Sequence, residues 1–462
     1  MDSSPSSPAD GPEIQTTSKK LPEAGIIEPD AVSLAEKKQV PISPPVPDGG
    51  ILAWIQCAAA FCIFFNTWGL LNSFGWYSDE PEKFTIDKIF DIGAFQAYYE
   101  NYLLRNSSPS DISWIGTLQS SFILMGSVYS GPLYDQGYLR SLISFGSFML
   151  VFGMFMTSLG TQYWHQILSQ GLVMGLGLGC LFMPATAIVA SYFTKRRGLA
   201  MGIASSGSTI GGILYPIIFS QLINRIHFGW TIRVIAFIML SLSILPVLGM
   251  KMRSKPPAVR RIFDAQAWKE PVFTLYAMAL FIGYTGMYIP YFYVQEFCLE
   301  KEIIIGSLNF YLLPIINAAG FFGRIFFGHL ADNIGPLNAF GAASGVCSVL
   351  LFGWMGMMTE GSIIVFCILY GFFSAGIITL SANVVASVLT PDMRQFGVRL
   401  TMQLVPSALG LLIGNPIAGA ILSHGWLGLQ GFAASTVSVC TLLTIAARVS
   451  KVQVQQAPGK NV

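Results

Sequence analysis

The sequence predicts an all-α membrane protein, with twelve transmembrane helices in two pseudo-symmetric six-helix bundles. Hydrophobic residues make up 53% of the 462 residues and charged residues only 11%, too few to cover a soluble domain of this size. A basic stretch, residues 251–269, separates six long apolar segments from six more. Each segment has about 20 residues or more, which is the length that crosses the apolar core of a bilayer as a helix. The segments are 51–74, 112–133, 139–160, 165–190, 199–223, 230–250, 272–294, 303–330, 337–358, 361–389, 400–422 and 427–447.

The distribution of charge predicts the orientation of these helices. Most of the 26 Lys and Arg residues fall in the tails, the 251–269 connector and the loops on the same side as the tails. By the positive-inside rule, both termini are expected in the cytosol, and the plasma membrane is the expected location. The predicted organisation is a disordered cytosolic tail 1–47, a first bundle 48–250, the connector 251–269, a second bundle 270–450 and a cytosolic tail 451–462.

The first outer loop has two features of its own. Residues 76–93 are rich in Asp and Glu and have no apolar period, so they are expected to lie outside the membrane as an acidic extracellular insertion. The sequon Asn106-Ser107-Ser108 predicts N-glycosylation at Asn106, although Pro109 follows it directly.

A short motif occurs once in each half of the chain. The pattern G-x-L-x-D begins at Gly131 and again at Gly328, and its aspartates are Asp135 and Asp332. Arg140 follows the first copy and Gly335 the second. Halves that repeat in this way imply a duplicated six-helix unit with a cavity between the two copies.

Several longer runs identify a family resemblance. They are Asp48-Gly49-Gly50, Asn72-Ser73-Phe74-Gly75, the run 95–100 (FQAYYE) and the run 192–202 (YFTKRRGLAMG). With the repeated motif and the basic connector, they resemble the major facilitator superfamily over residues 48–450, and in particular its fungal monocarboxylate-porter-like branch. The resemblance implies carriers that work by alternating access, with a binding Arg in the eighth span.

The sequence departs from that branch in three places. The run at 72–75 normally continues directly into the run at 95–100, so residues 76–93 are either a real insertion or a misjudged splice site in the gene. The usual proton-carrying Lys and Asp are missing, because the first span offers only neutral amides and Gly320 stands four residues before Arg324. The repeated motif also has fewer basic residues than usual, which implies a weaker contact between the halves.

Arg324 is the one charge well inside a span, about 9 Å from the predicted end at Leu330. An Arg at the centre of a membrane helix costs roughly 2.5–3.5 kcal/mol to insert. It is therefore either a cation that binds a solute in the cavity or a side chain that reaches the cytosolic surface. Further candidates for binding the substrate are Asn72, Gln119, Asn317, Asn383 and Tyr284. Each amide could instead bind a partner helix.

Two other positions leave alternatives open. Asp48 is expected to cap the first helix, with a direct part in gating as the alternative. Pro290 loosens the seventh span near its outer end, where several Tyr residues suit either an extracellular gate or an interfacial belt. None of the 24 Asp and Glu residues is placed at mid-membrane, which favours facilitated transport or coupling through Glu296 or Asp48 at a cavity mouth, and leaves proton coupling open.

The predicted function is transport of a small organic solute, such as a monocarboxylate, through the lipid bilayer. The alternative is a membrane sensor or scaffold that keeps a carrier fold without transporting. No catalytic constellation, phosphate-binding loop or metal-ligand spacing is found in the sequence, and its seven Cys residues resemble small apolar side chains. An enzyme, a cofactor, a metal site and a nucleic-acid partner are therefore not expected.

Overall fold

A computed structural model describes residues 48–72, 95, 98–253, 263–304, 308–391 and 395–456. These residues belong to one compact unit, and their regular structure is entirely helical. The predicted tail 1–47, the insertion 76–93, residues 254–262 of the connector and residues 457–462 of the C-terminal tail lie outside the described residues.

The first half of the chain contributes six spans. Helix α1 consists of Ile51–Asn66 and, after Thr67, Trp68–Leu71. A π-helical turn, Tyr99–Leu103, precedes α2, which consists of Pro109–Met125 and Ser127–Asp135. Helix α3 is Leu139–Thr157, and α4 runs through Tyr163–Gln166, the π-helical Ile167–Met174 and Gly175–Tyr192. The run Arg197–Gly249 contains α5 (197–226) and α6 (228–249), divided by His227 with φ 60°.

The second half contributes six more. A short 3-10 turn, Ala267–Lys269, leads into α7, which consists of Pro271–Gly286 and Ile289–Glu300. Helix α8 is Leu308–Ile334, α9 is Pro336–Trp354, and α10 is Glu360–Val384 continued by the π-helical Val385–Leu389. Helix α11 is Phe396–Leu422 and α12 is Trp426–Gln456.

The predicted count of twelve spans is confirmed. Ten continuous helices in the described residues are long and apolar enough to cross a membrane. One of them holds both α5 and α6, and the remaining span is α2, which is rich in Ser and Gly and therefore less apolar than the ten. Helix α1 begins and α12 ends on the same face of the bundle, which we call the terminal face. The other side is called the opposite face.

The two halves meet where α5 packs on α8 and where α2 packs on α11. Helices α5 and α8 approach so closely that a Cβ atom added to Gly198 would lie 2.3 Å from the carbonyl oxygen of Gly328. A Cβ atom on Gly202 would lie 2.4 Å from the carbonyl oxygen of Arg324. Glycine is therefore required at both positions of α5 for this backbone contact.

The aspartates of the repeated motif lie at the terminal face, each against the start of a helix in the other half. The Asp332 carboxylate accepts hydrogen bonds from the backbone amides of Gly198 (2.7 Å) and Leu199 (2.9 Å), at the start of α5. The Asp135 carboxylate lies against Gly397 at the start of α11, where an added Cβ atom would be 2.7 Å from each carboxylate oxygen. A negative charge is favourable at a helix N-terminus, because the free amides and the helix dipole are positive there.

Arg197 adds a third contact at this face, and the reading of the sequence did not single it out. Its Nη1 donates to the carbonyl oxygen of Ala386 (2.9 Å) at the end of α10, and its Nε donates to that of Phe193 (3.0 Å). A cation is favourable at a helix C-terminus for the same electrostatic reason. We refer to the contacts of Arg197, Gly198, Asp135 and Asp332 across the two halves as the terminal seal.

The remaining motif residues shape the adjoining turns and contacts. Gly335, with φ 88°, occupies the left-handed region in the one-residue turn between α8 and α9. Gly131 lies against the Thr401 hydroxyl, which donates to the carbonyl oxygen of Ser127 at 3.0 Å and so links α11 to α2. Arg140 is exposed at the start of α3 and makes no hydrogen bond with the described residues.

Asp48 does not cap α1, so that expectation is wrong. Its carboxylate accepts hydrogen bonds from the backbone amides of Thr194 and Lys195 (2.8 Å for the latter), which lie in the loop between α4 and α5. The backbone of Asp48 itself has φ 45°, which turns the chain away from the capping position. Burial would raise the pKa of Asp48, but the hydrogen bonds from Thr194 and Lys195 and the positive charge of Lys195 together outweigh it, and the pKa lies below its usual value.

The Asp332 contact gives a first testable prediction. Asp332→Ala removes two hydrogen bonds to a charged group, each worth about 1.5–3 kcal/mol, and should shift the protein toward conformations open at the terminal face. Spin labels at Tyr138→Cys and Ile334→Cys, both exposed at this face, would report the change by pulsed electron paramagnetic resonance. The seven native cysteines are buried and should label slowly.

Glu300→Ala, an exposed acid at the opposite face, is the matched control and should leave the label distances unchanged. Identical distance distributions for Asp332→Ala and the native sequence would show that Asp332 does not hold the halves together.

The Asp48 contact gives a second prediction. Asp48→Asn weakens the attachment of the loop that contains the exposed Lys195 and Arg196, so trypsin should cleave there roughly tenfold faster. Because the pKa of Asp48 is lowered, its carboxylate is charged and protective at every pH above its ordinary value, including the pH at which trypsin works. Asp111→Asn, which alters only the cap of α2, should not change cleavage at this loop.

Candidate functional site

Two cavities lie between the halves of the bundle. The inner cavity has a volume of about 550 Å³, including its mouth, and is lined by side chains of both halves, including Arg324 and Tyr284. The outer cavity encloses about 980 Å³, including its mouth, and lies nearer the opposite face. The terminal seal lies between the inner cavity and the terminal face, so this conformation is closed on that side.

Arg324 is the charged residue of the inner cavity. It lies ten residues before the end of α8 at Ile334, about 15 Å along the helix, which is deeper than the sequence predicted because α8 extends beyond Leu330. Its side chain is only 5% exposed, and its Nε atom is buried without a hydrogen-bond partner. No ion pair or hydrogen bond of this guanidinium is found among the described residues.

Three phenols of α7 lie near Arg324. Tyr284, Tyr288 and Tyr291 lie close enough to interact electrostatically with the guanidinium. Ser205 and Thr379, whose hydroxyls are 3.1 Å apart, also line the inner cavity and come from opposite halves. The inner cavity therefore combines one unpaired cation with hydroxyl groups and an apolar wall.

Asn72 and Asn317 contact each other across the two halves. Asn72, at the end of α1, lines the outer cavity, and its amide donates to the side-chain oxygen of Asn317 at 3.4 Å. The Asn317 amide in turn donates to the carbonyl oxygen of Leu313 at 3.1 Å. These two residues join α1 to α8 beside the outer cavity.

Three candidates from the sequence lie outside the linings of both cavities: Asn317, described above, Gln119 and Asn383. Gln119 is fully buried in α2, and its amide makes no hydrogen bond with the described residues. Asn383 lies near the end of α10, where its side-chain oxygen accepts a hydrogen bond from Ser387 at 3.0 Å and its nitrogen lies close to Gly198. Asn383 therefore belongs with the terminal seal.

Asn106 is exposed in the loop before α2. The hydroxyl of Ser108, the third residue of its sequon, accepts a hydrogen bond from the Asp111 amide at 3.1 Å as the cap of α2. Glycosylation at Asn106 stays a prediction.

Trp68 separates the two cavities, and sequence reasoning missed it. Its indole lines both cavities and stacks on Tyr288 of the other half, with ring centroids 6.3 Å apart and planes at 11°. Both residues lie at helix breaks: Trp68 follows Thr67 in α1, and Tyr288 lies between the two parts of α7, just before Pro290. An aromatic residue next to a helix break could have identified both residues from the sequence. However, Pro290 marked only the break in α7, and nothing marked the break in α1.

Fungal transporters are among the relatives of this chain. It is 39% identical over 386 residues to the MFS-type transporter dbaD of Emericella nidulans, covering 83% of each chain. It is 34% identical to the aspyridones efflux protein apdF of the same fungus, covering 90% of this chain and 82% of the relative. It is also 34% identical to the agnestins efflux protein AgnL12 of Paecilomyces divaricatus, covering 93% and 95%.

Solved structures with the same fold include two transporters. The human organic anion transporter MFSD10 superposes with a TM-score of 0.61 at 15% identity, covering 87% of this chain and all of that one. The fucose:proton symporter FucP of E. coli superposes with a TM-score of 0.58 at 15% identity, covering 84% and 98%. At this level of identity the similarity concerns the fold alone.

The sequence match to a family model covers most of the chain. Residues 56–411 match the Major Facilitator Superfamily, a stretch that runs from α1 into α11. The relatives above are transporters, so the chain is a small-molecule carrier and not an enzyme. The narrower monocarboxylate-porter-like branch is not distinguished by these matches. The twelve-helix bundle, the duplicated motif and the central cavity are those of a multi-pass membrane transporter, and the chain belongs to the Major Facilitator Superfamily.

Proposed function

We propose that this protein is an efflux carrier for an amphipathic organic anion, of which a monocarboxylate is the simplest kind. The terminal face is cytosolic and the opposite face extracellular, and the membrane is the plasma membrane. The solute binds in the inner cavity with its anionic group on Arg324, and the two halves then rock about it to expose the cavity to each side in turn.

The observation that carries this proposal is the unpaired charge of Arg324. A buried cation is costly, and the described residues offer it no carboxylate in return. A side chain that merely reached the surface would be more exposed than 5%, so that alternative is disfavoured. An anionic solute would supply the missing partner, and the apolar wall of the cavity suits a solute with an apolar body.

Direction and orientation are supported by two further observations. Arg and Lys are concentrated in the segments at the terminal face, as expected for the cytosolic side. Two of the relatives are named as efflux proteins.

The test replaces the cation without changing the length of the side chain greatly. Arg324→Gln should weaken binding of 2-naphthalenesulfonate, an aromatic anion that stays charged at every working pH, by about 10-fold to 100-fold, because a charge-assisted hydrogen bond is lost. Binding would be measured in nanodiscs, and transport by counterflow in proteoliposomes. Arg225→Gln, an exposed Arg beyond the outer cavity, is the control and should behave as the native protein.

Equal binding and counterflow of 2-naphthalenesulfonate in native and Arg324→Gln protein would contradict the role of Arg324. Arg324-dependent binding with no counterflow would instead favour the alternative function, a sensor that keeps the carrier fold.

We further propose that transport is facilitated, without proton coupling. No carboxylate or imidazole lines either cavity in the part of the chain that the structure describes. A pH difference of two units should therefore change the steady-state distribution of 2-naphthalenesulfonate less than about twofold. Coupling to one proton would change it by about 100-fold. Accumulation driven by the pH difference in proteoliposomes would overturn this prediction.

A further inference from the structure

We propose that the outer cavity is a second solute-binding subsite, which recognises an uncharged aromatic ring bearing hydroxyl groups. It is separated from the Arg324 cavity by the stacked pair of Trp68 and Tyr288. The inference rests on the proposed function, because both subsites would serve the same solute on its way out.

One wall of the outer cavity is aromatic. Tyr288, Tyr291 and Phe292 of α7 all line it. Their rings pack together, with centroids 5.7 Å apart for Tyr288 and Tyr291 and 6.4 Å apart for Tyr288 and Phe292. The Tyr291 hydroxyl is held by Ser374 at 2.9 Å, which fixes that ring. A wall of fixed rings favours a flat unsaturated ligand by stacking.

A second wall of the outer cavity, on α2, is polar and small. It consists of Gly116, Thr117, Ser120 and Ser121. The hydroxyls of Ser120 and Ser121 donate their protons to the carbonyl oxygen of Thr117, at 3.1 Å and 2.7 Å. Each oxygen therefore keeps lone pairs that can only accept. A ligand with O–H or N–H donors at its edge complements this wall, whereas a bare hydrocarbon ring leaves it unsatisfied.

The outer lining contains no charged residue among those the structure describes. An anionic group would find no counter-charge there. The outer cavity therefore suits the neutral part of a solute, and it would hold the charged part only weakly before release. Trp68 and Tyr288 come from different halves, so rocking of the halves would separate them and join the two cavities.

The experiment uses two probes on the full-length protein in nanodiscs, with empty nanodiscs subtracted. The neutral probe is 2,7-dihydroxynaphthalene and the anionic probe is 2-naphthalenesulfonate. Ser121→Ala should weaken binding of the neutral probe about threefold to tenfold, because one hydrogen bond is lost, and should leave binding of the anionic probe unchanged. Arg324→Gln should do the reverse. Ser191→Ala is the control, since its hydroxyl also bonds to its own helix but lies near the terminal face, at the end of α4.

A third probe, 2,7-dimethoxynaphthalene, cannot donate a hydrogen bond. It should bind the native protein about threefold to tenfold more weakly than the dihydroxy probe, and Ser121→Ala should not weaken it further. Retained binding of the anionic probe shows that Ser121→Ala is folded.

The outcomes separate this inference from the proposed function. If the anionic probe depends on Arg324 but the dihydroxy probe is insensitive to Ser121→Ala, the outer subsite is overturned and the proposed function stands. Equal loss of binding of both probes in Arg324→Gln would also overturn the outer subsite, because both probes would then occupy one site. If the anionic probe does not bind at all, the proposed function fails, whatever the dihydroxy probe shows.

Discussion

The rest of the structure depends on one electrostatic constraint, the unpaired charge of Arg324 in the apolar interior. The guanidinium lies in the inner cavity, while the backbone of the same residue forms the close contact with Gly202 in the other half. A ligand that pulls on the side chain therefore acts directly on the helix pair that joins the halves. In the proposed function, binding and rearrangement are therefore linked through a single residue, without a relay of intervening side chains.

The polar contacts of the bundle divide into those within a half and those between halves. Asp48 joins the start of α1 to the loop before α5, and Glu270, just before α7, pairs with Arg399 of α11 at 2.7 Å. Both contacts lie within one half and can persist while the halves move as rigid bodies. The hydrogen bonds of Asp332 and Arg197 cross between the halves and would break in each cycle of the proposed transport. Contacts within a half can therefore be permanent, whereas contacts between the halves are transient.

Hydropathy predicted the number and order of the spans, and the insertion cost of a charge singled out Arg324, because both effects are large and local in sequence. The break at Thr67 was not predicted, since it depends on a few backbone dihedral angles inside an apolar stretch. The break at His227 falls in the gap between the predicted spans 199–223 and 230–250. Gln119 and Asn383 were candidates for the cavity because an amide needs partners in a membrane. Whether it faces a cavity or a neighbouring helix depends on the rotation of its helix, which single-sequence periodicity does not determine.

The seal of backbone against backbone at Gly198 and Gly328 has a consequence for the cell. A transporter that opened to both sides at once would become a pore, and ions would run down their gradients through it. Direct contact between two glycines leaves no room for water between these two helices, so the main chain itself forms part of the barrier to such a short circuit. A bulkier residue at either position would let ions leak and lower the membrane potential before it impaired the transport of any solute.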